Sequence, residues 1–426
     1  MKALIITYYW PPAGGPGVQR WLLFVKYLRD FGIEPVVYVP ENPHYPIIDK
    51  TLENEIPNGI TILKQPIKEP YRSAGFLSKK KTKTISSGII SNKKQSLTER
   101  FLLWIRGNFF IPDARKNWIK PSVEFLESYL KQNPVAVVIT SGPPHSLHLI
   151  GMQLQQKLSL KWIADFRDPW TSIGYHKRLK LTQKSKDKHK LLERQVLQSA
   201  DTIIVTSKFT KNEFQRITDK PIAVITNGYD TEAENEVLDK KFTLSHIGSL
   251  LTERNPELLW KVLLELVTEN TDFAGDIKIQ LVGVVSEEVL ESLKKHQLDS
   301  YVSVLGYKSH QEAAQIRNTS QVLLLVEIDS PETQAIIPGK LFEYLASKRP
   351  ILAIGPAESE VPQILNDTLS GEYFGYNEKE EIKKTLKQWY QDYKTNNLQI
   401  KPVGVEQYHR KNLTEKLSDI IKNVFQ

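Results

Sequence analysis

The chain contains no cysteine. That excludes a disulfide framework and any thiolate metal site, and it fits a reducing compartment. No apolar run approaches the roughly 18–20 residues of a membrane-spanning helix. Met1-Lys2 leads straight into Ala3-Leu4-Ile5-Ile6, which is too short for a signal-peptide core and reads as a first strand. The expected location is the cytoplasm, with peripheral attachment to the inner face of the cell membrane as the alternative. Catalytic signatures are also missing: there is no H-E-x-x-H, no G-x-S-x-G and no clustered metal-ligand spacing. Glu327-Ile328-Asp329 does not make a D-x-D, so no metal site is expected there.

What is present is ordinary in amount and uneven in distribution. The 426 residues, 40% hydrophobic and 25% charged, suit a soluble protein of two large domains. The net charge is +8, yet residues 71–120 alone hold twelve Lys/Arg against Glu99 and Asp113. The positive charge is therefore local. Within this stretch, the Ser-, Thr- and Lys-rich segment 73–96 runs into Phe101-Leu102-Leu103-Trp104-Ile105-Arg106-Gly107-Asn108-Phe109-Phe110-Ile111. Basic residues beside large apolar ones can rest on an anionic membrane surface; a lysine-rich loop before a core-facing helix is the simpler alternative. No recognised nucleic-acid module accompanies the segment, so nucleic acid is not an expected partner.

Short apolar runs alternate with amphipathic stretches, the pattern of parallel sheets with crossover helices. Strands are expected at 3–9, 35–39, 60–63, 135–140, 162–166, 202–206 and 222–226, then at 243–247, 277–282, 302–305, 322–326 and 351–354. Helices are expected at 18–31, 257–267 and 287–295, and in the tail 406–425. The fold class is α/β, with two doubly wound units: residues 1–230, then 242–405, with 406–426 as a terminal helix. The boundary is expected in the polar, acidic stretch 229–241.

In such sheets, ligands bind beyond the carboxyl ends of the strands. After the first strand comes Tyr8-Tyr9-Trp10-Pro11-Pro12-Ala13-Gly14-Gly15-Pro16-Gly17, a glycine turn that can admit a ligand to bare N–H groups or can be a tight structural loop. His145 follows the strand at 135–140, placed to bond a substrate hydroxyl or phosphate, or to cap and pack; His148 is expected to pack. In Asp165-Phe166-Arg167-Asp168, two carboxylates three apart could do acid/base work, while the intervening Arg points to ion pairs that fix the loop. In the second half, His246-Ile247-Gly248-Ser249 leads to Arg254, which can reach a diphosphate bidentately, and Leu281-Val282-Gly283 and Leu305-Gly306 repeat the strand-then-glycine arrangement. Pro338-Gly339-Lys340-Leu341-Phe342-Glu343 reads as a helix start, with Lys340 and Glu343 on one face and Leu341, Phe342 and Leu345 on the other. A cation at a helix N-terminus suits phosphate; the alternative is a surface salt bridge.

In order and spacing these segments resemble the retaining glycosyltransferases of family 4, which have the GT-B fold, two Rossmann-like domains facing an interdomain cleft. The resemblance covers most of the chain. It implies a nucleotide-sugar donor on the second domain, a lipid-linked or glycan acceptor on the first, and no cofactor or metal. It implies that Gly14, Gly15, Gly17, Gly248, Ser249, Gly283, Gly339 and Leu341 line the donor, that Arg254 and Lys340 meet its phosphates, and that Glu343 holds the ribose. His145 matches the family histidine near the transferred sugar; with Arg254 and Lys340 it is a catalytic candidate, and Tyr9, Trp10 and Asp168 are acceptor-side or cleft candidates. Two departures stand out: Ala335 occupies the place of the family's other Glu, eight residues before Glu343, and Ser249 replaces the Arg often found after that glycine. A sugar-nucleotide epimerase of the same fold and a non-catalytic scaffold are the competing readings.

Overall fold

A computed structural model describes residues 1–69, 97–177, 179–231, 236–330 and 333–425. Much of the basic segment, residues 71–96, therefore lies outside the described residues. The chain divides into two compact units, one of Met1–Asn227 with Arg410–Gln426, the other of Gly228–His409.

Among the described residues of the first unit, seven strands form one parallel sheet: β1 (Lys2–Ile6), β2 (Glu34–Pro40), β3 (Thr61–Gln65), β4 (Val137–Gly142), β5 (Trp162–Phe166), β6 (Thr202–Val205) and β7 (Ile222–Val224). Their order is β3-β2-β1-β4-β5-β6-β7. Strands β1, β4 and β5 are buried along nearly their whole length, the pattern of a sheet covered on both faces. The first helix, Pro16–Leu28, opens with Pro in its first turn and passes through a 3-10 turn (Arg29–Phe31) to Gly32 at φ 77°. The terminal helix Arg410–Phe425 packs on it, burying Leu413, Leu417 and Ile421 in the same core as Trp21 and Val25.

The second unit repeats the design with β8 (Phe242–Ile247), β9 (Ile277–Val282), β10 (Val302–Gly306), β11 (Val322–Val326), β12 (Ile351–Ile354) and β13 (Gly371–Phe374), in the order β10-β9-β8-β11-β12-β13. In each sheet the order reverses beside the unit's first strand, between β1 and β4 and between β8 and β11. The crevice at such a reversal is where doubly wound sheets take ligands.

The strand expectations hold to within a few residues, except that β13 went unread. It has four residues, begins with Gly and buries only Phe374, so it shows no apolar run. The boundary falls just before the expected stretch, at Asn227, because Tyr229 and Asp239 are bound into the second unit. Tyr229 N–H donates to Tyr408 O at 3.1 Å, Asp239 N–H to Thr319 O at 2.8 Å, and Gln321 Nε2 to Asp239 O at 2.7 Å. The tail helix starts at Arg410 rather than 406, since Val405–Tyr408 is a 3-10 turn of the second unit.

Candidate functional site

In the second unit the carboxyl ends of β8 and β9 turn away through Gly248 (φ 117°) and Gly283 (φ 112°). A side chain at either is disfavoured by the backbone alone, and a Cβ on Gly283 would lie 2.7 Å from Gly248 O. The two turns therefore pack closely on each other, and the absence of a side chain on Gly248 lets Lys340 Nζ approach its backbone. Helix Gly339–Ala346 aims its N-terminus there, with Pro338 as its cap. Its apolar face, Leu341, Phe342 and Leu345, is fully buried, and Tyr344 Oη accepts the Ile247 N–H at 2.9 Å, fastening the helix to the end of β8.

The polar face does not form the local salt bridge that its i,i+3 spacing allows. Glu343 Oε2 pairs instead with Arg317 Nη1 at 2.9 Å, a buried guanidinium from helix His310–Thr319. Lys340 Nζ lies 3.1 Å from Nε2 of His246, a fully buried residue of β8. Nδ1 of that ring faces Leu324 O at 3.0 Å. A carbonyl only accepts, so Nδ1 carries the proton and Nε2 offers a lone pair to the ammonium. Burial, with the Arg254 charge adding to it, pulls Lys340 down to about 7, against the opposing charge of Glu343.

Arg254 ends the 3-10 turn Thr252–Arg254 and is half-buried. Its Nε has no hydrogen-bond partner, and among the described residues no carboxylate forms an ion pair with it. Burial lowers its pKa; Tyr376, Glu253 and Glu327 oppose that from further off. Glu327 sits just past β11, with Tyr373 Oη donating to its Oε2 at 2.9 Å and Tyr376 Oη to its backbone oxygen at 2.6 Å. Burial pushes this carboxyl up to about 7. The result is two cations without carboxylate partners beside a helix N-terminus and a carboxyl poised near neutrality. Such an arrangement can hold a polyanion, and the first turn of the helix adds N–H groups to it.

Of the sequence-derived donor candidates, Gly248, Ser249, Arg254, Gly283, Gly339, Lys340 and Glu343 gather at these strand ends. Leu341 belongs to the same helix, but its side chain is core and its N–H bonds Pro338 O at 3.0 Å. Ala335 is buried and offers no polar group. Sequence reasoning missed His246, Arg317 and Glu327. A histidine in an apolar strand or an acid after one carries no local signal.

In the first unit, Gly14 N–H donates to Ile47 O at 3.0 Å, and a Cβ on Gly17 would meet Arg167 Nη1 at 2.5 Å. Gly15 has φ 92° and caps the first helix. Arg167 lies over the Tyr9 ring at 5.4 Å and donates to Pro143 O. Trp10 is buried, its Nε1 without a partner. His145 is buried, its ring parallel to Trp170 at 4.8 Å, and neither ring nitrogen has a partner. Burial, then the neighbouring histidines and Arg167, holds it well below the usual histidine range. Asp168 is half-buried, and burial raises its pKa. The expected ion pairs with Arg167 are not what fixes this loop. Asp165 pairs with Arg20, 145 residues earlier, at 2.8 Å. His148 packs as expected, with Nδ1 2.9 Å from Thr140 Oγ1.

Helix Leu97–Phe109 exposes Phe101, Leu102, Trp104 and Phe109 beside the exposed Arg100, while Leu103 packs on Leu179. Among the described residues no helix is long and apolar enough to cross a membrane, and no three His, Asp or Glu side chains are grouped to hold a metal.

Residues 89–233 match the family model for Glycosyltransferase Family 4, well short of half the chain. No curated protein matches. Among solved structures, a glycosyltransferase from Rickettsia africae ESF-5 superposes with TM-score 0.62 at 13% identity, covering 100% of this chain and 98% of that one. Anabaena HepE in complex with UDP gives 0.62 at 13%, covering 99% and 100%. WaaG, a glycosyltransferase involved in lipopolysaccharide biosynthesis, gives 0.54 at 12%, covering 98% and 99%. At such identities the likeness speaks for the fold alone. The chain thus has the GT-B fold of these glycosyltransferases, and residues 89–233 carry its likeness to Glycosyltransferase Family 4.

Proposed function

We propose that the chain is a retaining glycosyltransferase that moves a sugar from a nucleotide-sugar to a lipid-linked or polysaccharide acceptor in cell-surface glycan synthesis. The observation that carries this is the pair Arg254 and Lys340, cations with no carboxylate partner among the described residues, near the carboxyl end of β8. Two structural neighbours, one complexed with UDP and one involved in lipopolysaccharide biosynthesis, point the same way.

In this reading the second unit binds the donor. Glu343 keeps Oε2 on Arg317 and turns Oε1 to the ribose hydroxyls. The bond from the anomeric carbon to the diphosphate oxygen breaks, and its electron pair leaves on the diphosphate. Arg254, Lys340 and the N-terminal N–H groups of helix Gly339–Ala346 neutralise that charge, so the scheme needs no resident metal. The acceptor hydroxyl attacks on the face the diphosphate vacates, and its proton passes to the departing phosphate oxygen. The first unit receives the acceptor, with Tyr9, Trp10, His145 and Asp168 as its contacts.

The protein works in the cytoplasm, at the inner face of the membrane, where helix Leu97–Phe109 rests its aromatic face on anionic lipid and its basic residues on the headgroups. Replacing Phe101 and Trp104 by Ser should lower cosedimentation with phosphatidylglycerol vesicles at least fivefold and leave neutral vesicles unaffected. Equal sedimentation of this double variant and the wild type would remove the membrane role.

The test of the reaction is release of nucleoside diphosphate from UDP-, GDP-, dTDP- and ADP-sugars, with and without polyprenyl-linked acceptors. Selective, acceptor-stimulated release from one donor is expected. Conversion of a donor to its epimer without transfer would favour the epimerase. No release, with no thermal shift by any nucleotide, would leave the scaffold.

A further inference from the structure

A lysine side chain has four flexible bonds and about 2 kcal/mol of rotamer entropy to lose, so an unaided one is poorly aimed. Lys340 is aimed by three features. His246 has its Nδ1–H committed to Leu324 O, which fixes the tautomer and leaves Nε2 as an acceptor 3.1 Å from Nζ. Nζ also lies 2.9 Å from where a Cβ on Gly248 would stand, so the glycine leaves its seat open. Glu343, one turn along, is held by Arg317. A carboxylate in place of His246 would hold the ammonium equally well but cancel its charge. A neutral imidazole holds it and leaves the charge for a ligand.

We infer that His246 is a positioning residue, which holds the Lys340 ammonium over Gly248, uncompensated, for an oxygen of the donor's diphosphate. The inference rests on the reading of the second unit as the diphosphate site. The groups facing Lys340 are His246 from β8, Arg254 from the 3-10 turn, and Glu343 on its own helix with Arg317 behind it; Glu327, past β11, acts through Arg254. His246 stays neutral throughout the neutral range, because burial and the Lys340 charge outweigh its backbone contacts with Leu324 and Ser249 and hold it well below the usual histidine value. Lys340 itself is held at about 7. A bound diphosphate favours the ammonium, so binding above that pH draws in a proton. Below about 7 the ammonium already exists and no proton is needed. Affinity therefore falls as pH rises through 7, by up to tenfold per unit.

The test uses His246→Leu, which removes the acceptor, and His246→Gln, whose amide oxygen reaches the Nε2 position. In the ligand-free protein, acetic anhydride labelling of Lys340 is followed by peptide mass spectrometry from pH 5 to 11. The wild-type residue should be half-reactive near pH 7, His246→Leu should shift that midpoint up by at least one unit as the side chain swings to water, and His246→Gln should restore it. A wild-type Lys340 that titrates like a surface lysine, or a midpoint that His246→Leu leaves in place, overturns the inference whatever the ligand does. Calorimetry with UDP at pH 7.5, in two buffers of different ionisation enthalpy, then reads affinity and proton uptake together. His246→Leu should bind at least tenfold more weakly and take up little proton, with His246→Gln near wild type. A loss of affinity with unchanged uptake per UDP bound is a mere folding defect and overturns the positioning role. Normal labelling with no binding of UDP, GDP or pyrophosphate keeps the His246–Lys340 pairing, removes the diphosphate reading, and overturns the role in donor binding.

Discussion

Arg254→Ala is expected to lower turnover of the nucleotide-sugar about 10²–10³-fold with the fold intact. A preorganised donor to a developing oxyanion is worth about 3–4 kcal/mol when removed, and the departing diphosphate of the proposed reaction is such an oxyanion. The fold should survive because, among the described residues, the Arg254 Nε has no partner and no carboxylate pairs with the guanidinium. Removing a half-buried, uncompensated cation relieves a desolvation cost, so the melting temperature should stay level or rise. Arg254→Lys keeps charge but loses the two-pronged geometry, and should recover only part of the rate. The measurement is kcat for nucleoside-diphosphate release beside a thermal melt. A rate within tenfold of wild type would mean that the leaving group departs elsewhere. A large loss of melting temperature would mean that Arg254 has a structural partner in solution.

The same residue shows how far the sequence could be read. The cation after the glycine turn, the helix start at Pro338 and the burial of Leu341, Phe342 and Leu345 are local facts, set by spacing within one or two turns, and they were legible. So were the apolar runs of both sheets. Partner choice was not. Lys340 and Glu343 sit one turn apart, where charges usually meet, yet Glu343 goes to Arg317, 26 residues back, and Lys340 to His246, 94 residues back. Both partners come from elements brought together only by the strand order β8-β11, which puts the end of β8 beside the helix that follows β11. Glu327 was visible only as a failed metal motif. Its raised pKa comes from burial among Tyr373, within the unread strand, and Tyr376, just past its end. The loop at Asp165 was misjudged for the same reason: Arg167 is its neighbour in sequence, but the buried guanidinium that reaches it is Arg20.

That ion pair carries the second large effect. Asp165→Ala should destabilise the first unit by about 3–5 kcal/mol, because it strands a buried charge. Arg20 and Asp165 are both fully buried, joined at 2.8 Å and again through Arg20 Nε at 3.3 Å. The same carboxylate accepts from Trp21 Nε1 at 2.9 Å and Ser141 Oγ at 2.7 Å, while Arg20 Nη1 donates to Thr226 O at 2.9 Å. One side chain thus ties the first helix to β4 and β5, and its partner extends the tie past β7. These bonds and the Arg20 charge outweigh burial and hold the Asp165 carboxyl below the usual range. Its stabilisation is therefore present above the unfolded pKa of about 3.9 and is lost as pH falls through the lower folded value. Asp165→Ala should remove that part of the acid sensitivity. Urea unfolding followed at the first unit's tryptophans should shift, while the second unit's transition stays in place, since the two need not unfold together. The decisive comparison is the double variant Arg20→Met, Asp165→Leu. If the single variant suffers from a stranded guanidinium, removing both charges should recover most of the loss. If the double variant is as unstable as the single, the loss lies in the bonds to Trp21 and Ser141, and the carboxylate matters as an acceptor rather than as a charge.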